Sequence, residues 1–101
     1  MKQIMVRYKV WPDKVATNVD LVRAVYAELH STNPDGLRYA TFQLDDGVSF
    51  IHLHSDGSPD GDALRRVAAF GAFQEGIAER CEEAPVVTEL REVGSYRFVD
   101  R

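Results

Sequence analysis

Residues 4–10 alternate, with Ile4, Val6, Tyr8 and Val10 on one side and Met5, Arg7 and Lys9 on the other. A period of two predicts a half-buried strand with one dry face. Pro12 and Asp13 end it, because proline cannot donate to a ladder. The period then lengthens. Val15, Val19, Val22, Tyr26 and Leu29 recur at spacings of three and four, which is a helical stripe. Thr17, with Asp20 three residues on, predicts a capping arrangement, and Asn33-Pro34-Asp35-Gly36 predicts the helix stop.

Between Leu37 and Ser55 two strand-like runs flank Asp45-Asp46-Gly47. Asp-Gly between alternating segments is a strong hairpin signal, since the turn needs positive φ and glycine supplies it at little steric cost. Pairing across the turn matches Leu44 with Ser49, Phe42 with Ile51, Thr41 with His52 and Tyr39 with His54. One face then carries Ala40, Phe42, Leu44, Ile51 and Leu53, which reads as core. The other carries Tyr39, Thr41, Gln43, Phe50, His52 and His54, a mixed polar and aromatic surface.

Asp56-Gly57-Ser58-Pro59-Asp60-Gly61 reads as a surface loop. Leu64, Val67, Ala68, Phe70, Phe73 and Ile77 form a second helical stripe that reaches about Glu83, with a break expected near residues 69–71. Pro85 precedes a last strand running from Val86 to about Phe98, in which Gly94 marks a bulge or bend. The order β-α-β-β-α-β predicts an α+β, ferredoxin-like domain spanning residues 1–101: a four-stranded antiparallel sheet with both helices on one face. With the helices over Ile4, Val6, Tyr8, Ala40, Phe42 and Leu44, nothing in one chain covers the opposite face. A homodimer is expected there, joined sheet to sheet over Tyr39, Thr41, Phe50 and His52.

Composition narrows the function classes. The net charge of −4 opposes nucleic acid as a partner, because that binding relies on Lys and Arg neutralising phosphates. Cys81 is the single cysteine, so an internal disulfide and a cysteine-based metal cage are both excluded. No secretory core follows Lys2, and no run approaches a membrane span of about 20 apolar residues. The expectation is a cytoplasmic protein with no membrane partner.

The element order, the Ile4-Met5-Val6-Arg7-Tyr8-Lys9-Val10 strand, the Leu37-Arg38-Tyr39-Ala40 start of the second strand and the Ala68-Ala69-Phe70-Gly71-Ala72-Phe73 helix opening carry a resemblance. The chain resembles the antibiotic biosynthesis monooxygenase-like families of the dimeric α/β-barrel superfamily. That resemblance implies two sheets closing into one barrel, with space between each sheet and its helices for a flat aromatic ligand. Such families include cofactor-free oxygenases of polyketide-like phenols, haem-degrading enzymes and isomerases. The haem degraders pair an Asn on the first strand with a His on the last helix. Here the first strand has no Asn, and residues 62–83 contain no His.

The candidate chemistry lies on the hairpin. His52 and His54 share a face with Tyr39, and imidazole titrates near neutral pH, which suits a general base or proton shuttle. Tyr39, His52 and His54 are therefore the candidates for proton handling, and at least one histidine is expected to titrate between pH 5 and 8. Arg7 is the candidate anion partner, and Phe42, Phe70 and Phe73 are the candidate ligand-binding wall. Against this stands a plain alternative, in which the same residues form a hydrogen-bonded polar layer in the dimer interface. No HxxxH or HExxH spacing exists, and neither a metal nor a cofactor is called for. His30 is assigned to the C-terminal dipole of the first helix, Trp11 to an exposed or interface position and Cys81 to structure. Two functions follow: oxidation or binding of a small aromatic or lipophilic molecule without a cofactor, or a non-catalytic homodimeric ligand-binding or structural module.

Overall fold

Strand β1 (Gln3–Val10) leads through a short 3-10 turn, Pro12–Lys14, into helix α1 (Val15–Thr32). Strands β2 (Leu37–Gln43) and β3 (Ser49–Asp56) form the hairpin. A second 3-10 turn, Leu64–Arg66, precedes α2 (Ala68–Gln74), α3 (Ile77–Arg80) and β4 (Cys81–Leu90). The structure, a computed structural model, describes residues 2–98. The four strands run antiparallel in the order β2-β3-β1-β4, with the helices on one face, which is the expected ferredoxin-like α+β arrangement. No helix among the described residues is long and apolar enough to cross a membrane.

The hairpin register is the one the turn predicts: Tyr39 faces His54, Thr41 faces His52 and Phe42 faces Ile51. Gly47 takes φ 80°, and the Asp46 carboxylate accepts the Val48 and Ser49 amides at 2.9 and 2.8 Å, closing the turn. The faces, however, are reversed. In the β1–β3 ladder Val6 pairs with His52, Tyr8 with Phe50 and Ile4 with His54, and directly opposed residues share a face. Tyr39, Thr41, Phe50, His52 and His54 therefore lie under the helices with Val6 and Tyr8. Phe50 and His52 are buried. Ala40, Phe42, Ile51 and Leu53 stand on the open side with Met5, Arg7 and Lys9, and Phe42 is 41% exposed. The more apolar face of the hairpin is the one that no helix covers among the described residues, so an interface over Tyr39, Thr41, Phe50 and His52 is ruled out.

The core is Tyr8, Val10, Val22, Val25, Phe50, Leu64, Val67 and Phe73, sandwiched between β1, β3 and the helices. Helix α1 starts at Val15, with no side-chain cap from Thr17 or Asp20; the preceding 3-10 turn already sets the chain in helical geometry. It ends as expected. Asn33 takes φ 47° and donates its amide to the Leu29 carbonyl at 2.7 Å. Helix α2 receives its N-terminal cap from another element, as the Glu28 carboxylate of α1 accepts the Ala68 and Ala69 amides at 3.0 and 2.9 Å.

The C-terminal third departs most from expectation. The helical segment breaks twice, at the extended Val67 that splits off the short Leu64–Arg66 turn and at Gly76, φ 84°, rather than at residues 69–71, and helix ends at Arg80 rather than Glu83. Strand β4 then begins at Cys81 and ends at Leu90, not at Phe98. Pro85 lies inside it, where the β1–β4 register shifts between Arg7 and Lys9. An edge strand tolerates proline at such an irregularity because no ladder donor is needed there. The bulge is thus at Pro85 and not at Gly94. Beyond β4 the chain returns to the far edge of the sheet, where the Phe98 ring stacks on Phe42 with centroids 6.4 Å apart.

Candidate functional site

A cavity of about 600 Å³, open to solvent on one side, lies between the sheet and the second helical segment. Its apolar wall comes from Ile4, Val6, Leu64, Phe70, Phe73 and Val87, and its polar groups from Tyr8, Tyr39, His52, His54, Asp56, Asp62 and Arg65. The volume is in the range of small-molecule sites. Five of the seven residues that the sequence nominates line it: Tyr39, His52, His54, Phe70 and Phe73. Arg7 and Phe42 do not. Alternation along β1 and β2 turns both to the open face, so Arg7 cannot serve as anion partner in this cavity nor Phe42 as its wall.

His52 is held from both sides. Its Nε2 lies 2.8 Å from the Tyr8 hydroxyl and its Nδ1 lies 2.6 Å from the Tyr39 hydroxyl, with Thr41 Oγ1 farther off at 3.3 Å. Asn18 Nδ2 donates to the Tyr8 hydroxyl at 2.9 Å, and Arg80 Nε donates to Asn18 Oδ1 at 3.2 Å. Arg80 also donates to the Phe73 carbonyl at 2.7 Å, and its guanidinium sits over the Phe73 ring. Aromatic rings complete the packing, with Tyr8 stacked on Phe50 and Tyr39 stacked on Tyr26 at centroid distances of 5.5 and 5.2 Å. Asn18 is fully buried and Arg80 is 6% exposed, so each needs these partners.

Burial sets the proton affinities. It lowers the His52 pKa to about 4, helped by repulsion from His54, so His52 is neutral across the range from pH 5 to 8 in which a histidine was expected to titrate. Burial raises the Tyr8 and Tyr26 hydroxyls to about 12 and raises Tyr39 as well, so all three stay protonated. His54 is lowered by burial too, with Asp56 pulling the other way. Unlike His52 it is unpaired, and its buried Nδ1 has no hydrogen-bond partner among the described residues. A buried imidazole nitrogen without a partner carries a desolvation cost that nothing around it offsets, while the rest of the His54 side chain borders the cavity.

Asn18, Tyr8 and Arg80 were not nominated from sequence as functional residues. A signal exists for Asn18: it interrupts the apolar series Val15, Val22, Val25 and Leu29 at helical spacing, and a polar residue in such a stripe needs a buried partner. Among the described residues no group of three His, Cys, Asp or Glu side chains could hold a metal ion.

No family model matches the sequence, and no curated protein matches it by sequence. Solved structures do match the fold. A candidate antibiotic biosynthesis monooxygenase from Nitrosomonas europaea aligns with TM-score 0.75 and 18% identity over 93% of this chain and 100% of that one. Rv0793 of Mycobacterium tuberculosis aligns with TM-score 0.73 and 19% identity over 93% and 96% of the two chains. A candidate antibiotic biosynthesis monooxygenase from Caulobacter crescentus aligns with TM-score 0.73 and 20% identity, covering 92% and 90%. The fold of this chain is therefore that of the proteins bearing this name, over nearly its whole length.

Proposed function

We propose that this chain is a homodimeric, antibiotic biosynthesis monooxygenase-like protein that binds a small aromatic molecule between its sheet and its helices. The observation that carries the reading is the cavity of about 600 Å³, with Phe70 and Phe73 on one side and Tyr39, His52 and His54 on the other. Aromatic walls suit a flat ring, and the polar groups fix its orientation. In this reading His54, which borders the cavity, is the group that accepts a proton from a bound phenol; burial lowers its proton affinity and Asp56 pulls the other way. Tyr39 holds the ligand oxygen, and His52 holds Tyr39. The electron-rich phenolate then reacts with dioxygen without a resident cofactor: one oxygen atom enters the ring, the other leaves as water, and a quinone results.

The second copy completes the account. Phe42, Val86, Val93, Tyr96 and Phe98 are large, apolar and exposed, and Phe42 and Val86 lie on the open face of the sheet. A partner sheet covering that face buries them, in place of the hairpin face expected from sequence.

One observation favours the non-catalytic alternative. Both nitrogens of His52 are engaged and the ring stays neutral, as in a site built to bind and orient. Mass spectrometry of the denatured, freshly purified protein tests the shared part of both readings. An aromatic small molecule recovered in near-stoichiometric amount supports ligand binding, and turnover of it under oxygen separates the oxygenase from the module. A protein that carries no small molecule and retains none from a panel of naphthols overturns both.

A further inference from the structure

Arginine has no acceptor, so the Asn18 atom facing Arg80 Nε at 3.2 Å is the amide oxygen, and the amide nitrogen is turned to the Tyr8 hydroxyl. That nitrogen can only donate. The hydroxyl oxygen of Tyr8, a residue only 2% exposed, thus accepts a hydrogen bond from Asn18 and must place its own proton, and among the described residues His52 Nε2 at 2.8 Å is the acceptor within reach. His52 has one ring proton in its neutral form, and with Nε2 accepting, that proton sits on Nδ1. Nδ1 faces the Tyr39 hydroxyl at 2.6 Å and donates to it. Thr41 Oγ1, the other group near Nδ1, already shares a 2.7 Å bond with Tyr26. The Tyr39 oxygen thus accepts from His52, and its own proton can turn to the cavity or to the neighbouring Thr41 hydroxyl.

We infer that Arg80 and Asn18 are positioning residues that fix His52 as the Nδ1–H tautomer and so prime Tyr39 as a hydrogen-bond donor to a carbonyl or phenolate oxygen of the ligand. The inference rests on the cavity reading above and narrows its ligand class. Every bond in the series Arg80, Asn18, Tyr8, His52, Tyr39 donates in the same direction, from a fixed positive charge toward the cavity. Such an aligned chain strengthens its last donor and stabilises negative charge developing beside it. Molecules that must donate to Tyr39 meet a mismatched proton and are disfavoured, whereas aromatic ketones, quinones and phenolates are matched.

The test is the protonation of the two His52 ring nitrogens, read by long-range proton–nitrogen correlation NMR and assigned with the His52→Gln variant. The native protein is expected to show Nδ1–H; an Nε2–H ring overturns the inference. Asn18→Asp replaces the donor by an acceptor that Arg80 can still hold. The Tyr8 proton then turns to the new carboxylate, and His52 is expected to flip to Nε2–H; an unchanged tautomer overturns the role of Asn18. If that variant does not fold, Tyr8→Phe, which keeps the ring, is expected to populate both tautomers, and a ring that stays fully Nδ1–H counts against the series. Binding supplies the second readout, with 1-tetralone, an aromatic ketone, compared with tetralin, which lacks the oxygen. The native cavity is expected to prefer the ketone by ~10-fold, worth about 1.4 kcal/mol, and Asn18→Asp to remove most of that preference. Equal binding of the two by the native protein overturns the donor assignment. Retention of neither, with the tautomer as stated, leaves the relay standing and sinks the cavity reading instead.

Discussion

The Tyr8 hydroxyl and His52 Nε2 meet at 2.8 Å across neighbouring strands, and both residues are almost fully buried. Burial of the His52 ring makes stability depend on pH. The folded His52 pKa is depressed to about 4 from an ordinary 6.5, so between these values the unfolded chain binds the extra proton. The His52 contribution is therefore complete above pH 6.5 and is lost as pH falls toward 4, by up to about 3 kcal/mol. Chemical denaturation at pH 7.5 and pH 4.5 should show this fall, and His52→Gln should flatten it. A native curve with no slope in that window contradicts the buried neutral histidine.

Phe42→Ala separates the two faces of the hairpin. Phe42 is 41% exposed on the open side, so truncation should cost the isolated chain less than about 1 kcal/mol rather than the ~3–5 kcal/mol of a buried phenylalanine. The dimer should weaken by ~10-fold or more if that face is the interface. Sedimentation equilibrium with parallel thermal unfolding checks both halves. A large loss of monomer stability with an unchanged association constant contradicts the assignment.

Gly36 takes φ 85°, and a Cβ there would lie 2.6 Å from the Gly57 carbonyl carbon. Gly36→Ala combines backbone strain of roughly 1–3 kcal/mol with a steric clash. It should also loosen the Gly57 to Gly36 backbone bond of 2.8 Å that anchors the loop beside the cavity. Thermal unfolding should report the loss, and faster amide exchange at Gly57 should accompany it.

Glu28→Gln tests the cap of α2. The carboxylate accepts two amides, Ala68 and Ala69, and the amide side chain keeps one acceptor. A loss of about 1 kcal/mol is expected, along with faster amide exchange at the start of α2, while Glu28→Ala should cost more.

Much of this architecture was legible in the chain. The alternation from Ile4 to Val10, the stripe from Val15 to Leu29 and the Asp46-Gly47 turn gave the strands, the long helix and the hairpin register, because each depends on local geometry. The hairpin faces were not legible from their own composition. Ala40, Phe42, Ile51 and Leu53 are the more apolar set, yet the ladder pairing of Val6 with His52 turns them outward. Burial inside one chain and apolarity diverge when polar groups such as His52, Tyr8 and Asn18 satisfy one another. The Val6–His52 pairing, and not the composition of either hairpin face, decides which face the helices cover. Strand β4 hid behind Pro85, whose usual meaning as a breaker does not apply at a bulged edge. Arg80 was hidden because its partner, Asn18, is 62 residues away in the chain.

The central claim is that an aromatic ligand sits between sheet and helices, against His54, Phe70 and Phe73. A titration with 2-naphthol, followed through side-chain NMR signals of native protein and of Phe70→Trp, tests it most directly. The account predicts saturable shifts at His54, Phe70 and Phe73 in the native protein, and affinity reduced ~10-fold or more when the larger indole fills the cavity. Shifts confined to Phe42 and Ile51 on the open face, or binding unchanged by Phe70→Trp, would contradict it.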